Sequence, residues 1–175
     1  EADQLVVWAE SHDTYATDDM GQSSYNLSTS VINKTWALVA ARADIMGLYF
    51  ARPADFMTTT MGTASANTGW DYAEVKAVNE FHNAFAGQGE TVGNSGKIAY
   101  VVRGNSGIVL VNAGGTTASV SISGTGMADG TYVDQISGNT FTVSGGKITG
   151  SIGVTGIAVV YNASVEHEHS YNAVV

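Results

Sequence analysis

The pattern of hydrophobic and polar positions differs between the two halves of the chain. In residues 1–87, short apolar runs alternate with segments in which apolar residues recur every three or four positions. The run 4–10 (QLVVWAE) predicts a buried strand, and the run 47–50 (GLYF) predicts a second strand of the same parallel sheet. The periodic segments at roughly 31–43 and 75–85 predict amphipathic helices. The first half is therefore predicted to hold two βα units, each with a long loop after its strand.

Residues 88–162 have the pattern of many short strands. Val, Ile, Thr and Tyr are enriched in seven segments, and the turns between them contain glycine, as at Gly104 and Gly145. The predicted strands are KIAYVVR, GIVLVNAG, ASVSIS, TYVDQI, TFTVS, KITGSI and GIAVVYN. Short strands at regular spacing favour an antiparallel Greek-key β-sandwich, so the predicted fold class is α/β plus all-β. Residues 163–175 are predicted to be a tail or linker.

Composition narrows the classes of partner. The 175 residues carry a formal net charge of −9 and contain no cysteine. An acidic surface without a basic stripe argues against nucleic acid as a partner. No apolar run approaches the roughly 20 residues of a membrane span, so no membrane association is expected. The missing cysteines exclude disulfides, thiolate metal sites and a thiol nucleophile.

The segment 8–15 (WAESHDTY) carries the candidate chemistry. Ser11, His12 and Asp13 suggest a hydrolytic triad, but consecutive residues on an extended chain alternate sides and do not converge into the required relay. Glu10 and Asp13 are an alternative, as a pair of catalytic carboxylates. The residues alone equally allow an ordinary polar exit from a strand, because short motifs are weak evidence.

Four segments carry a resemblance to a known family. Residues 5–19 (LVVWAESHDTYATDD), 42–53 (RADIMGLYFARP), 77–88 (AVNEFHNAFAGQ) and 107–114 (GIVLVNAG) resemble the C-terminal part of bacterial secreted α-amylases, the Bacillus type of glycoside hydrolase family 13. The resemblance implies that 1–87 form the last two βα units of a (β/α)8 TIM barrel. It implies equally that 88–162 form the β-sandwich called domain C.

The resemblance also implies a function for the parent protein. Such enzymes hydrolyse internal α-1,4-glucosidic bonds of starch and glycogen with retention, using an Asp nucleophile and a Glu acid/base from earlier barrel strands. This sequence contains neither strand, so the chain alone is predicted to be inactive. By resemblance, Asp13 is the transition-state stabiliser that binds the 2- and 3-hydroxyls of the sugar at subsite −1. His12 binds the same sugar.

Other residues receive weaker roles. Tyr15 and Asp18 are candidates for lining a glucan cleft, and a solvated loop explains them equally well. Arg52 is expected to be structural and to pair with a buried carboxylate such as Glu10. Ser11 stands where animal-type relatives have a chloride-ligating Asn, which argues against a chloride site. No cofactor or metal site is expected within this chain, whereas the resemblance implies calcium in the parent, bound by ligands from earlier segments.

Partners and location follow from the same resemblance. The expected partners are an α-glucan, reached through the parent protein, and the rest of the barrel, which this sequence lacks. The expected location is extracellular, in a bacterium. The alternative function is a non-catalytic carbohydrate-binding or structural sandwich module. A sugar-binding sandwich exposes flat aromatics, and the aromatic residues of 94–161 all lie inside predicted strands, where partial burial is expected.

Overall fold

Two short strands near the start of the chain pair in parallel. The computed structural model describes residues 4–16, 23–53 and 69–163. Strand β1 (Val6–Val7) pairs with β2 (Met46–Gly47), with Val6 opposite Met46. The helices of this part are α1 (His12–Ala16), α2 (Thr29–Ala40) and α3 (Ala73–Ala84), with a 3₁₀ helix at Ser24–Asn26. The parallel strand pair and both long helices were predicted from the sequence, and the structure confirms them.

Helices α2 and α3 each bury one apolar face. Helix α2 begins after Ser28, whose hydroxyl accepts a hydrogen bond from the amide of Val31, and it buries Trp36. Helix α3 buries Val78 and Phe81. Among the described residues, no helix is long and apolar enough to cross a membrane.

Eight antiparallel strands make up the second part of the fold. The strands are β3 (Glu90–Ser95), β4 (Ile98–Arg103), β5 (Gly107–Asn112), β6 (Ala118–Ser123), β7 (Gly130–Asp134), β8 (Thr140–Ser144), β9 (Lys147–Ile152) and β10 (Ile157–Tyr161). They form one sheet in the order β3-β4-β5-β10-β7-β8-β9-β6. Strand β10 thus lies between β5 and β7, which brings the end of the described chain into the middle of the sheet.

The prediction of seven strands was one strand short. The missing strand, β3, lies at the edge of the sheet and pairs with β4, with Val92 opposite Val101. Its sequence, ETVGNS, contains one large apolar residue, and most of its positions are exposed. An edge strand of this kind is held by backbone hydrogen bonds to its neighbour, so it leaves no alternating pattern in the sequence.

The central strands β4, β5 and β10 are buried on both faces. One face packs against α2 and α3 in a cluster that contains Trp36, Val78 and Phe81. The sheet residues of this cluster are Val101, Val109, Val111, Ile157, Val159 and Tyr161. The opposite face joins residues of β6, β8 and β9, including Ile122, Phe141 and Ile148, in a second cluster. The proposed domain boundary at 87/88 stays a prediction, and the first cluster has members on both sides of it.

The prediction that the strand run 4–10 is buried was wrong for its large apolar residues, and the second strand is exposed as well. The exposed fraction is 44% for Val6 and 62% for Met46, and Leu5, Trp8 and Leu48 are exposed as well. A two-stranded sheet has few neighbours to cover its faces and edges. In the described part of the chain, the apolar residues of β1 and β2 therefore remain in contact with solvent.

The buried side chain of Arg103 joins the ends of both long helices to the sheet. Arg103 ends β4 and is 1% exposed. Its guanidinium donates hydrogen bonds to the carbonyls of Ala41 (3.2 Å) and Arg42 (3.0 Å), just beyond α2. It also donates to the carbonyls of Phe85 (2.6 Å) and Gln88 (3.1 Å), just beyond α3. Burial lowers the pKa of this guanidinium, and the charge of nearby Glu90 opposes that shift.

Replacing Arg103 should destabilise the fold severely. In Arg103→Met, four carbonyls lose a hydrogen bond, although that of Phe85 keeps the amide of Gln88 as a donor. Each buried group that is left unsatisfied costs about 1–3 kcal/mol. We expect a loss of at least about 3 kcal/mol, which at an m-value of about 2 kcal/mol/M lowers the urea midpoint by about 1.5 M. Lys147→Met, which removes an exposed strand cation, is the matched control and should leave the midpoint almost unchanged. Equal midpoints for the two variants would contradict the structural role of Arg103.

Glu90 binds Arg42 at the end of α2. The Arg42 side chain donates to Glu90 Oε1 from Nη2 at 2.6 Å, and the amide of Ala43 donates to Oε2 at 2.7 Å. Burial by itself would raise the pKa of Glu90, but the hydrogen bonds from Arg42 and Ala43 outweigh it, so the pKa lies below its usual value. A lowered folded-state pKa stabilises the fold above the unfolded pKa, and the contribution disappears as the pH falls through the folded value.

The contribution of Glu90 should therefore depend on pH. At pH 7 we expect Glu90→Gln to reduce the free energy of unfolding by about 0.5–1 kcal/mol, because the pair is partly exposed. The difference from the wild type should shrink as the pH falls from about 4.3, the unfolded value, through the lower folded pKa. Urea unfolding of both proteins between pH 7 and pH 3 measures it. A difference that stays constant over this range would exclude the carboxylate as its source.

Candidate functional site

The carboxyl ends of β1 and β2 lie side by side because the strands are parallel. The amide of Leu48 donates to the carbonyl of Val7 at 2.9 Å, so the chain leaves both strands at the same edge. The segments that follow carry the sequence-predicted residues Glu10, His12 and Arg52. In parallel sheets, ligands bind outside the carboxyl ends of the strands. This edge is therefore the candidate site.

His12 and Asp13 begin a helix, whereas the sequence suggested an irregular polar loop after the strand. They are the first two residues of α1, and His12 Nε2 lies 3.0 Å from Asp13 Oδ1. Ser11 precedes the helix: its hydroxyl accepts from the amide of Thr14 at 3.2 Å, while the Thr14 hydroxyl accepts from the amide of Ser11 at 2.8 Å. This reciprocal capping ends the extended chain at Ser11. It also occupies the Ser11 hydroxyl, which supports rejection of the triad.

Both candidate side chains point to solvent. The exposed fraction of the side chain is 68% for His12 and 78% for Asp13. They border an open pocket of about 450 Å³ whose other lining residues are Trp8, Glu10, Ser11, Leu48, Tyr49 and Phe50. The pocket thus combines a polar side with a largely apolar side. A sugar offers the same combination, since its hydroxyls form hydrogen bonds and its ring faces contact aromatic groups.

Glu10 and Arg52 form a buried ion pair behind this pocket. Glu10 is 2% exposed. Arg52 donates from Nε to Glu10 Oε2 and from Nη2 to Glu10 Oε1, both at 2.8 Å. The Ser24 hydroxyl donates to the same carboxylate at 2.5 Å. The hydrogen bond with Glu10 raises the pKa of the Arg52 guanidinium above its usual value.

The ion pair of Glu10 with Arg52 was expected from the sequence. It also bears on the alternative hypothesis that Glu10 and Asp13 are a pair of catalytic carboxylates. Both oxygens of the Glu10 carboxylate are engaged by Arg52, and Oε1 also accepts from Ser24. A catalytic carboxyl must reach the scissile bond, whereas this carboxylate is 2% exposed and both of its oxygens already accept hydrogen bonds within the protein. The hypothesis that Glu10 and Asp13 are a catalytic acid and nucleophile is therefore disfavoured.

Tyr15 lies under the site, with most of its surface covered. It is 5% exposed, and its ring centroid is 5.7 Å from those of both Tyr25 and Phe50. The guanidinium carbon of Arg52 lies 5.1 Å from the centre of the same ring. Stacking of Tyr15 on a glucan stays a prediction, and this burial does not favour it. Asp18 lies outside the described residues, so its expected place in a glucan cleft also stays a prediction.

A polar network next to the site was missed by the sequence analysis. The Tyr49 hydroxyl donates to Asn33 Oδ1 at 3.1 Å, and Asn33 Nδ2 donates to Glu74 Oε1 at 2.9 Å. Burial raises the pKa of Tyr49 to about 12, and the nearby groups of Tyr72, Glu10 and Glu74 add to the effect while Arg52 opposes it. The available signal was Asn33, a polar residue inside the apolar periodicity of α2.

Metal-binding side chains are not grouped in the part of the chain that the structure describes. Within 4–16, 23–53 and 69–163, no three His, Asp or Glu side chains are placed to hold a metal ion.

Comparison with known proteins finds relatives named alpha-amylase. No family model matches the chain. It is 34% identical over 165 residues to a protein named alpha-amylase from Clostridium acetobutylicum, covering 93% of this chain and 20% of that protein. It is 30% identical over 175 residues to a protein of the same name from Butyrivibrio fibrisolvens, covering 91% of this chain and 18% of that protein. The chain thus spans about a fifth of the curated relatives it matches.

Solved structures show the same likeness at the level of the fold. An α-amylase from Malbranchea cinnamomea matches 97% of this chain and 39% of its own, with a TM-score of 0.69 and 16% identity. The α-amylase I of Eisenia fetida in its maltohexaose complex matches 90% of this chain and 41% of its own, with a TM-score of 0.66 and 17% identity. The fold of the described chain is therefore one that occurs within α-amylases.

The aromatic residues of the sheet bear on the alternative of a sugar-binding module. Tyr100, Tyr132, Phe141 and Tyr161 are all buried, with exposed fractions between 0% and 9%. Their burial was expected from their positions inside predicted strands. Among the described sheet residues, these four side chains therefore do not form an exposed stacking platform.

The raised pKa of Tyr49 gives a test of the network beside the site. A folded-state pKa above the unfolded value of about 10 means that stability is lost as the pH rises through that range. Between pH 9 and pH 11, the wild type should lose up to about 1 kcal/mol more unfolding free energy than Tyr49→Phe, after allowance for partial exposure. Urea unfolding at the two pH values measures this. Parallel losses in the two proteins would mean that Tyr49 ionises normally.

Proposed function

We propose that this chain is the portion of an α-amylase-type glycoside hydrolase that contributes His12 and Asp13 to the sugar site. The parent protein hydrolyses internal α-1,4-glucosidic bonds of starch or glycogen with retention. One observation carries the proposal: the chain resembles proteins named alpha-amylase over more than nine tenths of its length. The position of His12 and Asp13, just after the carboxyl end of a strand in a parallel pair, agrees with it.

In this proposal, β1 and β2 are the last two strands of a (β/α)8 barrel. Exposed apolar residues on and beside both strands, outside the lining of the pocket, support the assignment: Leu5, Val6 and Met46. An exposed apolar patch of this kind is typical of an interaction surface. We assign it to contact with the remaining strands of the same polypeptide. The eight-stranded antiparallel sheet then corresponds to the Greek-key sandwich of domain C.

The proposed role of Asp13 follows from the positive charge that develops on the sugar ring in the transition state. Retaining hydrolysis needs two carboxyl groups about 5–5.5 Å apart, around a transition state with positive charge on the sugar ring. We place both groups outside this chain. The Asp13 carboxylate accepts hydrogen bonds from sugar hydroxyls, and its negative charge stabilises the developing positive charge. A ring N–H of His12 donates to a hydroxyl of the same sugar.

Substrate, metal and location are parts of the same proposal. An α-glucan substrate is supported by the maltohexaose complex of the Eisenia fetida neighbour. We place calcium of the parent protein on residues outside this chain, as the sequence resemblance implies. An extracellular location rests on the sequence resemblance alone.

A chimaeric enzyme tests the function. The chain replaces the matching segment of the Clostridium acetobutylicum relative, and release of reducing ends from soluble starch is measured. We expect the chimaera to be active and the isolated chain to be inactive. In the chimaera, Asp13→Asn should lower kcat by about 10²–10³-fold, because it removes a charge that acts on the transition state. His12→Ala should lower it by at least about tenfold.

The matched control is Asp44→Asn. Asp44 is an exposed carboxylate just before β2, at the opposite end of the strand pair. This variant should retain the kcat of the chimaera. If Asp13→Asn behaved like Asp44→Asn, the proposed role of Asp13 would be wrong. Starch hydrolysis by the isolated chain well above buffer would show instead that the nucleophile and acid/base lie within it.

A further inference from the structure

The Glu10 carboxylate connects three separate segments at the candidate site. Glu10 lies two residues before His12, on the segment that leaves β1. Arg52, its bidentate partner, lies on the segment that leaves β2. Ser24, the third partner, belongs to the 3₁₀ helix. One carboxylate therefore fixes the relative positions of the segments that follow β1 and β2. It also fixes the segment 23–28 that leads into α2, here called the returning chain.

Further hydrogen bonds connect the returning chain to Arg52 and to α1. Arg52 donates from Nη1 to the carbonyl of Leu27 at 2.9 Å and from Nη2 to the carbonyl of Ser24 at 3.0 Å. The hydroxyl of Ser23 donates to the carbonyl of Tyr15, near the end of α1, at 2.7 Å. The face of the Tyr15 ring is also close to the Arg52 guanidinium. Both ends of α1 are thus connected to the ion pair.

His12 and Asp13 are not themselves held by buried contacts. Their side chains are largely exposed, and His12 Nε2 lies 3.0 Å from Asp13 Oδ1. The direction in which they point therefore depends on the backbone of α1, a helix of five residues. Short helices are not stable in isolation, so tertiary contacts must hold α1 in place.

We propose that Glu10, Arg52 and Ser24 are positioning residues that hold α1 so that His12 and Asp13 face the sugar site. The proposal rests on the proposed function for its meaning, because the site must bind a sugar for the orientation to matter. A bidentate arginine suits this task better than a lysine. Its planar donors engage both carboxylate oxygens and two carbonyls at once, whereas a lysine is a point charge on a flexible stem.

The first experiment measures backbone order in the full chain of 175 residues. We compare 15N order parameters of His12 and Asp13 in the wild type, Arg52→Lys and Arg42→Lys. Arg42 and Glu90 provide a matched control, since they are also a bidentate Arg–Glu pair but join α2 to β3. We expect order parameters near 0.85 in the wild type and in Arg42→Lys, and below about 0.6 in Arg52→Lys.

The second experiment separates positioning from simple stability. In the chimaeric enzyme, Arg52→Lys should lower kcat per folded molecule at least tenfold while KM changes by less than threefold, and Arg42→Lys should change neither. If Arg52→Lys does not fold, Ser24→Ala replaces it, because that variant removes one hydrogen bond and keeps the ion pair. It should lower the order parameters of His12 and Asp13 in the same direction.

The two possible failures are distinguishable. If Arg52→Lys, or Ser24→Ala in its place, leaves His12 and Asp13 rigid, the positioning role is overturned whatever the enzyme does. If the order is lost but Asp13→Asn leaves the kcat of the chimaera unchanged, the proposed function fails and the structural link remains. Equal losses of kcat in Arg52→Lys and Arg42→Lys would also overturn the proposal, because the effect would then be one of stability.

Discussion

The arrangement of the fold depends on one buried cation. Arg103 lies at the end of β4, and its guanidinium donates to carbonyls beyond the ends of both α2 and α3. Helix C-termini carry a partial negative charge and unpaired carbonyls. A fixed guanidinium there offsets the charge and donates hydrogen bonds to the carbonyls. Because α2 lies between β1 and β2 in the sequence and α3 follows β2, this one side chain relates the sheet to the elements that carry the candidate site.

The second constraint is that the central strands bury both of their faces. Strands β4, β5 and β10 face the helices on one side and the outer strands on the other. This explains their nearly continuous apolar sequence, as in GIVLV of β5, and the strict alternation in ASVSIS of β6, which is covered on one face. Glycine assists at one point: a methyl group at Gly107 would overlap the rings of Phe81 and Phe85, which pack there from α3 and its end.

Two ion pairs of similar chemistry have different consequences because of where they lie. Arg42 and Glu90 tie the end of α2 to an edge strand, where solvent weakens the pair. Arg52 and Glu10 lie between the two strand exits, with the carboxylate almost fully buried. Removing one partner of a buried pair leaves an uncompensated charge, which is far more costly. The pair whose disruption is the more costly thus lies next to the residues assigned to sugar binding.

The sequence by itself determined the elements whose signal is local. Its periodicity located α2 and α3, its apolar runs located β1 and β2, and its segments pointed to α-amylases. It missed β3, whose exposed edge leaves no pattern, and it placed His12 and Asp13 outside any helix. Tertiary structure decided which distant residues meet: Arg103 with two helix ends, Tyr49 with Asn33, and Ser24 with Glu10. These contacts join side chains that are far apart in the chain, and their geometry depends on the packing of the whole fold, which no local pattern encodes.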